Sequence, residues 1–237
     1  GDVMVYPSPQ RPDVGNSSMC QGFGFGRRAD GSDGLSLSGG LGILREAGGH
    51  DSYSADVFNQ GGGYWFGTGV LADEAGDDSY FGMYYTQAIG AHFAMGMLVD
   101  AAGDDTHNEG LNPASSIGFA HDASTTLLRD GGGDDLWQGA GMRGYDSGMS
   151  VALEMGGVDT YLDCTLGQAS LGVYGASTPD MLALGVFLDG GGEDDYETSV
   201  PDGITVGNDQ TWSWTSADTH PGEHGAGADG ATPLGVR

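Results

Sequence analysis

Twelve carboxylates recur at two fixed places in a repeated segment, and the natural chemistry of such an arrangement is the holding of hard cations. The segment is plainest at residues 71–80, LADEAGDDSY, and at 98–107, LVDAAGDDTH. Looser copies read ILREAGGHDSY, LLRDGGGDDLW, ALEMGGVDTY and FLDGGGEDDY. Their final residues are Tyr53, Tyr80, His107, Trp137, Tyr161 and Tyr196, at spacings of 27, 27, 30, 24 and 35. Two residues before each stands an aspartate: Asp51, Asp78, Asp105, Asp135, Asp159 and Asp194. Seven before each stands a second acid: Glu46, Asp73, Asp100, Asp130, Glu154 and Asp189. Glycine is invariant four before, at Gly49, Gly76, Gly103, Gly133, Gly157 and Gly192. An apolar residue is invariant ten before, at Ile43, Val70, Met97, Leu127, Val151 and Val186.

Six identical turns need a scaffold that repeats with them. Upstream of each apolar position lies a weaker repeat: QGFGFG at 21, QGGGYW at 60, QAIGAH at 87, SIGFAH at 116, QGAGMR at 138 and QASLGV at 168. Small and apolar residues alternate here and in GTGVL and AMGML, the two-residue period of a strand, and no 3.6-residue period is sustained. The expected class is all-β, a parallel β-helix or solenoid of about six to seven coils, because a single unit cannot bury its apolar ladder while stacked units can. A β-sandwich does not reproduce the same acids at the same turn six times. Residues 21–199 are the expected solenoid, with irregular caps at 1–20 (VYPSPQRPD) and 200–237, where GNDQTW reads as a degenerate further turn.

In stacked coils each acid position forms a ladder with rungs about 4.8 Å apart. Carboxylates at that distance repel by roughly 1 kcal/mol in water-like surroundings and by several at lower dielectric. Exposure, protonation or bound cations must relieve this, and Ca2+ is the natural cation, since it takes six to eight oxygens. The turn [DE]xxGxD resembles the calcium-binding turns of RTX-type β-rolls, although it recurs once per coil and not every nine residues. That resemblance implies calcium ligation by Asp78, Asp105 and Asp135, with Asp73, Asp100 and Asp130 as partners. His50, Val158 and Glu193 replace the additional aspartate at the remaining copies. Residues 21–196 are also similar to bacterial proteins built from GDDxY repeats, a likeness that implies no activity. Aspartate after glycine also forms turns without any metal, which explains the Asp two before the aromatic better than the acid seven before. The metal expectation covers all twelve acids: Glu46, Asp51, Asp73, Asp78, Asp100, Asp105, Asp130, Asp135, Glu154, Asp159, Asp189 and Asp194.

Composition narrows the function classes. The chain has 237 residues, 47 of them glycine, with 34 acids against 7 basic residues, all arginine, for a net charge of -27. Such a charge disfavours nucleic acid and anionic membrane surfaces as partners. No apolar run approaches the roughly 20 residues of a membrane span. The expected partners are proteins or further copies of this chain, met through the solenoid's ends or faces. Beginning at Gly1, without Met or an apolar leader, the sequence also fits a processed, exported chain: extracellular, at a cell surface or periplasmic. Salt adaptation of the surface, with no specific ion, is the competing account of the acidity.

Other candidates are weaker. The six terminal rings could be a sugar-stacking strip, but a buried structural stack is the commoner role. His92 and His121, each five residues into its QAIGAH or SIGFAH segment and close to Asp122, could bind a transition metal. Trp65 and Arg143 take that place in the flanking segments and supply no third ligand, so two outward-facing histidines are expected, as with His220 and His224 in the tail. Cys20 and Cys164 fall about five coils apart, beyond the ~7 Å Cα reach of a disulfide, so no bond joins them. No hydrolase, zinc-protease or phosphate-loop motif is present. The expected role is therefore a non-enzymatic structural or interaction module stiffened by calcium. The alternative is a carbohydrate-active β-helix enzyme, a lyase or glycosidase, with its site in the irregular coil 108–122.

Overall fold

A computed structural model describes residues 4–7, 15–26, 39–172, 182–198, 204–214 and 222–230. Much of VYPSPQRPD, His220 and the terminal PLGVR lie outside the described residues. Nearly every described element is a strand, and the strands form three sheets. The glycine-rich sheet holds Gly24–Phe25, Gly63–Tyr64, Gly90–Ala91, Phe119–His121, Arg143–Tyr145 and Ala169–Ser170, each parallel to the next. The apolar sheet holds Leu41–Arg45, Thr68–Ala72, Met95–Val99, Thr125–Arg129, Met149–Glu154, Ala183–Asp189 and Glu223–Asp229, again all parallel. The aromatic sheet holds Ser52–Val57, Ser79–Tyr84, Thr106–His107, Leu136–Gln138, Thr160–Leu162 and Asp195–Glu197. The chain visits the three in that order and then begins a new circuit. Two pairings are antiparallel: Met4–Pro7 with Gly15–Ser18, and Thr211–Ser213 with Glu223–Asp229.

The repeated residues pair rung upon rung. Tyr53 lies opposite Tyr80, His107 is opposite both Tyr80 and Trp137, and Tyr161 follows Trp137 and precedes Tyr196. The rings are buried and stacked: Tyr53–Tyr80 centroids are 4.9 Å apart, Tyr80–His107 4.6 Å and His107–Trp137 3.6 Å. The ladder is therefore interior packing, not a strip open to a sugar.

The core corrects one expectation. The invariant apolar position faces outward in part, and Ile43 is 64% exposed. The residues one step later, Leu71, Leu98, Leu128, Ala152 and Phe187, fill the interior against the aromatic ladder. Both positions are apolar in most copies, so the motif could not tell the inner rung from the outer one. Beyond Tyr196, Trp212 and Trp214 close over this core, and both indole N–H groups donate to the Leu166 carbonyl, at 3.1 and 2.9 Å.

At the acid-bearing turn the circuits approach too closely for side chains. A Cβ on Gly103, whose φ is +155°, would lie 1.5 Å from the Gly76 carbonyl oxygen. Gly133, Gly157 and Gly192 meet the preceding glycine in the same way, at 1.6 Å. Invariant glycine here follows from close approach of stacked backbones.

The glycine-rich sheet shows where the second motif misleads. Gln60 ties the turn before its strand to the aromatic strand, its amide N–H2 donating to the carbonyls of Tyr53 (2.8 Å) and Phe81 (2.9 Å). Gln21, Gln60 and Gln87 occupy equivalent rungs, but strand register then places Ile117, Gly141 and Leu166 there. SIGFAH, QGAGMR and QASLGV are thus out of step with the first three segments.

Candidate cation ladders

The two acid ladders lie at the turn joining the apolar sheet to the aromatic sheet, and from Asp73 onward both are buried. Their partners differ. An acid seven before the ring closes its own turn: Asp73 Oδ1 accepts the Ala75 N–H (3.2 Å), Asp100 Oδ1 that of Ala102 (3.2 Å), and Asp189 Oδ1 that of Gly191 (3.0 Å). Its second oxygen takes a tyrosine hydroxyl from the preceding circuit. Tyr53 donates to Asp73, Tyr80 to Asp100 at 2.5 Å, and Tyr161 to Asp189 at 2.7 Å. Where the ring is His107 or Trp137 no hydroxyl exists, and the second oxygens of Asp130 and Glu154 have no hydrogen-bond partner. Replacing Tyr80 by Phe should orphan Asp100 in the same way. The expected cost is about 2 kcal/mol, measured as a lowered urea midpoint with unchanged slope.

The other ladder is chained through the backbone. The N–H of Asp51 donates to Asp78 Oδ1 (2.6 Å), that of Asp78 to Asp105 (2.6 Å), and that of Asp105 to Asp135 (2.7 Å). Asp135 continues to Asp159 (2.8 Å), Asp159 to Asp194 (2.7 Å), and Asp194 to the amide oxygen of Asn208 (2.8 Å). One oxygen of each aspartate is thereby fixed. The other, Oδ2 of Asp78, Asp105, Asp135, Asp159 and Asp194, is buried with no hydrogen-bond partner.

The two ladders come together. Three groups offer carboxylate oxygens within 4.8 Å of one another: Asp78–Asp100–Asp105, Asp105–Asp130–Asp135 and Asp159–Asp189–Asp194. Each combines two chained aspartates from successive circuits with the turn acid between them. A fourth group, Glu46–Asp51–Asp73, is less buried, and Glu154 joins none. Among the described residues no arginine or histidine forms an ion pair with any ladder acid.

Burial pushes these carboxyls upward. Desolvation is the main cause throughout, and neighbouring acids add to it. Asp78 and Asp194 are raised to about 6, Asp130 to about 7, Asp105 and Asp159 to about 8, and Asp135 to about 10. Glu154 is raised well above the usual range. Those raised to about 8 or above either keep a proton at neutral pH or exchange it for a cation.

The three carboxylates of each group are close enough together for one hard cation to reach them all, since oxygens on opposite sides of an ion bound at about 2.4 Å are about 4.8 Å apart. Three carboxylates supply up to six oxygens, and the unpartnered Oδ2 atoms would be the first to turn to the ion.

Two members of the ladders went unseen in the sequence. Asp229 lies opposite Asp189, as the acid of a further circuit, and Tyr196 donates to both, at 3.1 Å each. Asn208 ends the chained ladder. GNDQTW contains that asparagine, but Asp229 follows a further strand in a segment that preserves no motif. The irregular segment 108–122 is stitched to its neighbours: Asn108 accepts from the Gly82 N–H and the Gln87 amide, Asn112 donates to Asp163, and Gly110 donates to Gln138. Both cysteines are free. Among the described residues no helix is long and apolar enough to cross a membrane. Comparison with protein-family models, with curated proteins and with solved structures returns no match for this chain.

Proposed function

We propose that this chain is a calcium-stiffened parallel β-solenoid of six to seven coils, capped by residues 1–20 and 200–237, that serves outside the cytosol as a non-enzymatic structural or interaction module. The observation that carries the reading is the row of five buried Oδ2 atoms that no backbone or amide donor reaches, each on an aspartate grouped with other carboxylates and, among the described residues, none in an ion pair with arginine or histidine. Millimolar free calcium, the range in which extracellular modules bind it, supplies the missing charge. The three-sheet circuit supports a solenoid, because each circuit buries its ladder only against its neighbours. An acidic rod of net charge -27 suits protein partners or further copies, met at its ends or faces, and neither nucleic acid nor insertion into a membrane.

Equilibrium dialysis of chelator-stripped protein against labelled calcium tests the reading. More than one ion per chain should bind, with magnesium a poor competitor. No binding at millimolar calcium would overturn it and leave the acids as protonated turn formers.

A further inference from the structure

A second constellation lies elsewhere, at the corner joining the glycine-rich sheet to the apolar sheet. Four of the circuits turn there through two residues of left-handed backbone: Trp65–Phe66, His92–Phe93, Asp122–Ala123 and Asp146–Ser147. Register stacks His92, Asp122 and Asp146 on consecutive rungs, because Ala91 pairs with His121 and His121 with Tyr145. His92 and His121 are therefore not equivalent, as QAIGAH and SIGFAH suggest. Asp146, not Arg143, occupies the next rung, since Arg143 pairs with Phe119. The insertions that put these motifs out of step hid the third ligand.

His121 stands one residue before the corner, paired with Ala91 on the neighbouring strand. Its Nε2 lies 3.3 Å from Asp122 Oδ1 and 3.6 Å from Asp146 Oδ2. The three residues offer ligand atoms all within 4.8 Å of one another. A tetrahedral ion with bonds of about 2.0–2.2 Å separates its ligands by about 3.3–3.6 Å, which matches the distances from Nε2 to the two carboxylate oxygens. An imidazole nitrogen among the donors selects zinc-class transition ions over calcium, which prefers oxygen alone. Nδ1 of His92 lies 2.6 Å from the other Asp122 oxygen, an outer contact of the kind that orients a ligating carboxylate. Side-chain exposures of 20% for His121, 33% for Asp122 and 6% for Asp146 make the place reachable from solvent yet anchored. Trp65 stacks on His92 at 4.3 Å, and Tyr145 lies 5.2 Å from His121, so aromatic rings wall the histidines.

We propose that His121, Asp122 and Asp146 bind a zinc-class divalent ion, that His92 positions Asp122, and that the fourth coordination place is left to water or an incoming ligand. Ligation through Nε2 puts the imidazole proton on Nδ1, which is buried without an acceptor. Lacking that outer partner weakens a site by about 10- to 100-fold, so micromolar affinity is expected. The site shares no residue with the acid ladders and does not rest on the calcium reading.

The test is a cobalt titration of the full chain, with calcium present in excess to fill any all-oxygen sites. The intense visible bands of tetrahedral Co2+ should appear at one ion per chain and be displaced by Zn2+. His121→Ala should abolish them, Asp146→Asn should weaken binding by at least about ten-fold, and His92→Ala by about ten-fold. Asp135→Asn, in the acid ladder, should leave the bands unchanged. Only the faint spectrum of six-coordinate cobalt, or tetrahedral bands that persist in His121→Ala, would overturn the proposal. Should His121→Ala fail to fold, the Asp146→Asn titration decides.

Discussion

Raising the pH of calcium-free protein from about 5 to about 8 should lower its thermal midpoint by at least about 10 °C, and millimolar calcium should abolish the fall. The sign follows from the buried aspartates. Asp105 and Asp159 titrate at about 8 when folded and Asp135 at about 10, against an ordinary value of 3.8. Between these limits the folded chain holds protons that the unfolded chain has released. The stabilisation is complete below the unfolded value and is lost as pH rises toward the folded one. Each such group costs about 1.4 kcal/mol per pH unit across that window. One group alone, over three units, therefore amounts to roughly 4 kcal/mol, and for a chain of this size each kcal/mol moves the midpoint by about 2–4 °C. Under the proposed reading calcium would take the place of the protons, so the loaded protein would have nothing to lose on deprotonation. Melts in chelator, in calcium, and in magnesium at matched ionic strength separate the cases. Curves that coincide at pH 8 with and without calcium would sink the cation reading.

Asp135→Asn should raise the calcium-free midpoint at about pH 8 by more than about 10 °C, the second large effect. An amide keeps the oxygen that accepts the Asp105 N–H at 2.7 Å. It replaces the unpartnered Oδ2 with a donor beside Asp130, and it removes a carboxyl whose deprotonation in the unfolded chain costs roughly 5 kcal/mol at that pH. The protein already makes this substitution at the end of the ladder. Asn208 accepts the Asp194 N–H at 2.8 Å and returns its own N–H to the Asp194 carbonyl at 2.9 Å. In saturating calcium the gain should shrink and the bound-ion count should fall. Asp135→Ala is the control, since it strands the Asp105 N–H at a cost of about 1–3 kcal/mol and leaves a void. If Asn and Ala lower the calcium-free midpoint alike, the carboxyl is not the liability described.

Why some of this was legible and some not has a physical basis. The acid turn stacks backbone on backbone, so the same glycine and the same acids must recur, and six copies announce themselves in the letters. Class, turn and both ladders follow from that recurrence alone. Inner and outer rungs did not separate, because Ile43–Leu44 and Leu127–Leu128 are apolar on both faces of their strand. The glycine-rich strands tolerate insertions at the turns that precede them, so their short motifs drift. Counting from Gln87 and Ser116 set His121 level with His92 and brought Arg143 to a place held by Asp146. Asp229 escaped because the sequence after its strand, Glu223–Asp229, carries no Gly-x-Asp-x-aromatic of the kind that follows the equivalent acid in the other copies.

The glycine ladder also sets how this molecule can change in length. Gly76 and Gly103 superpose their surroundings so closely that each carbonyl touches the next Cα. Ala75–Gly76 and Ala102–Gly103 are therefore interchangeable junctions, 27 residues apart. Removing or duplicating the stretch between them would bring equivalent glycines back into register at this turn. A cut that is not a whole repeat would set side chains against those carbonyls, so at this turn the chain tolerates a change in length only by whole repeats.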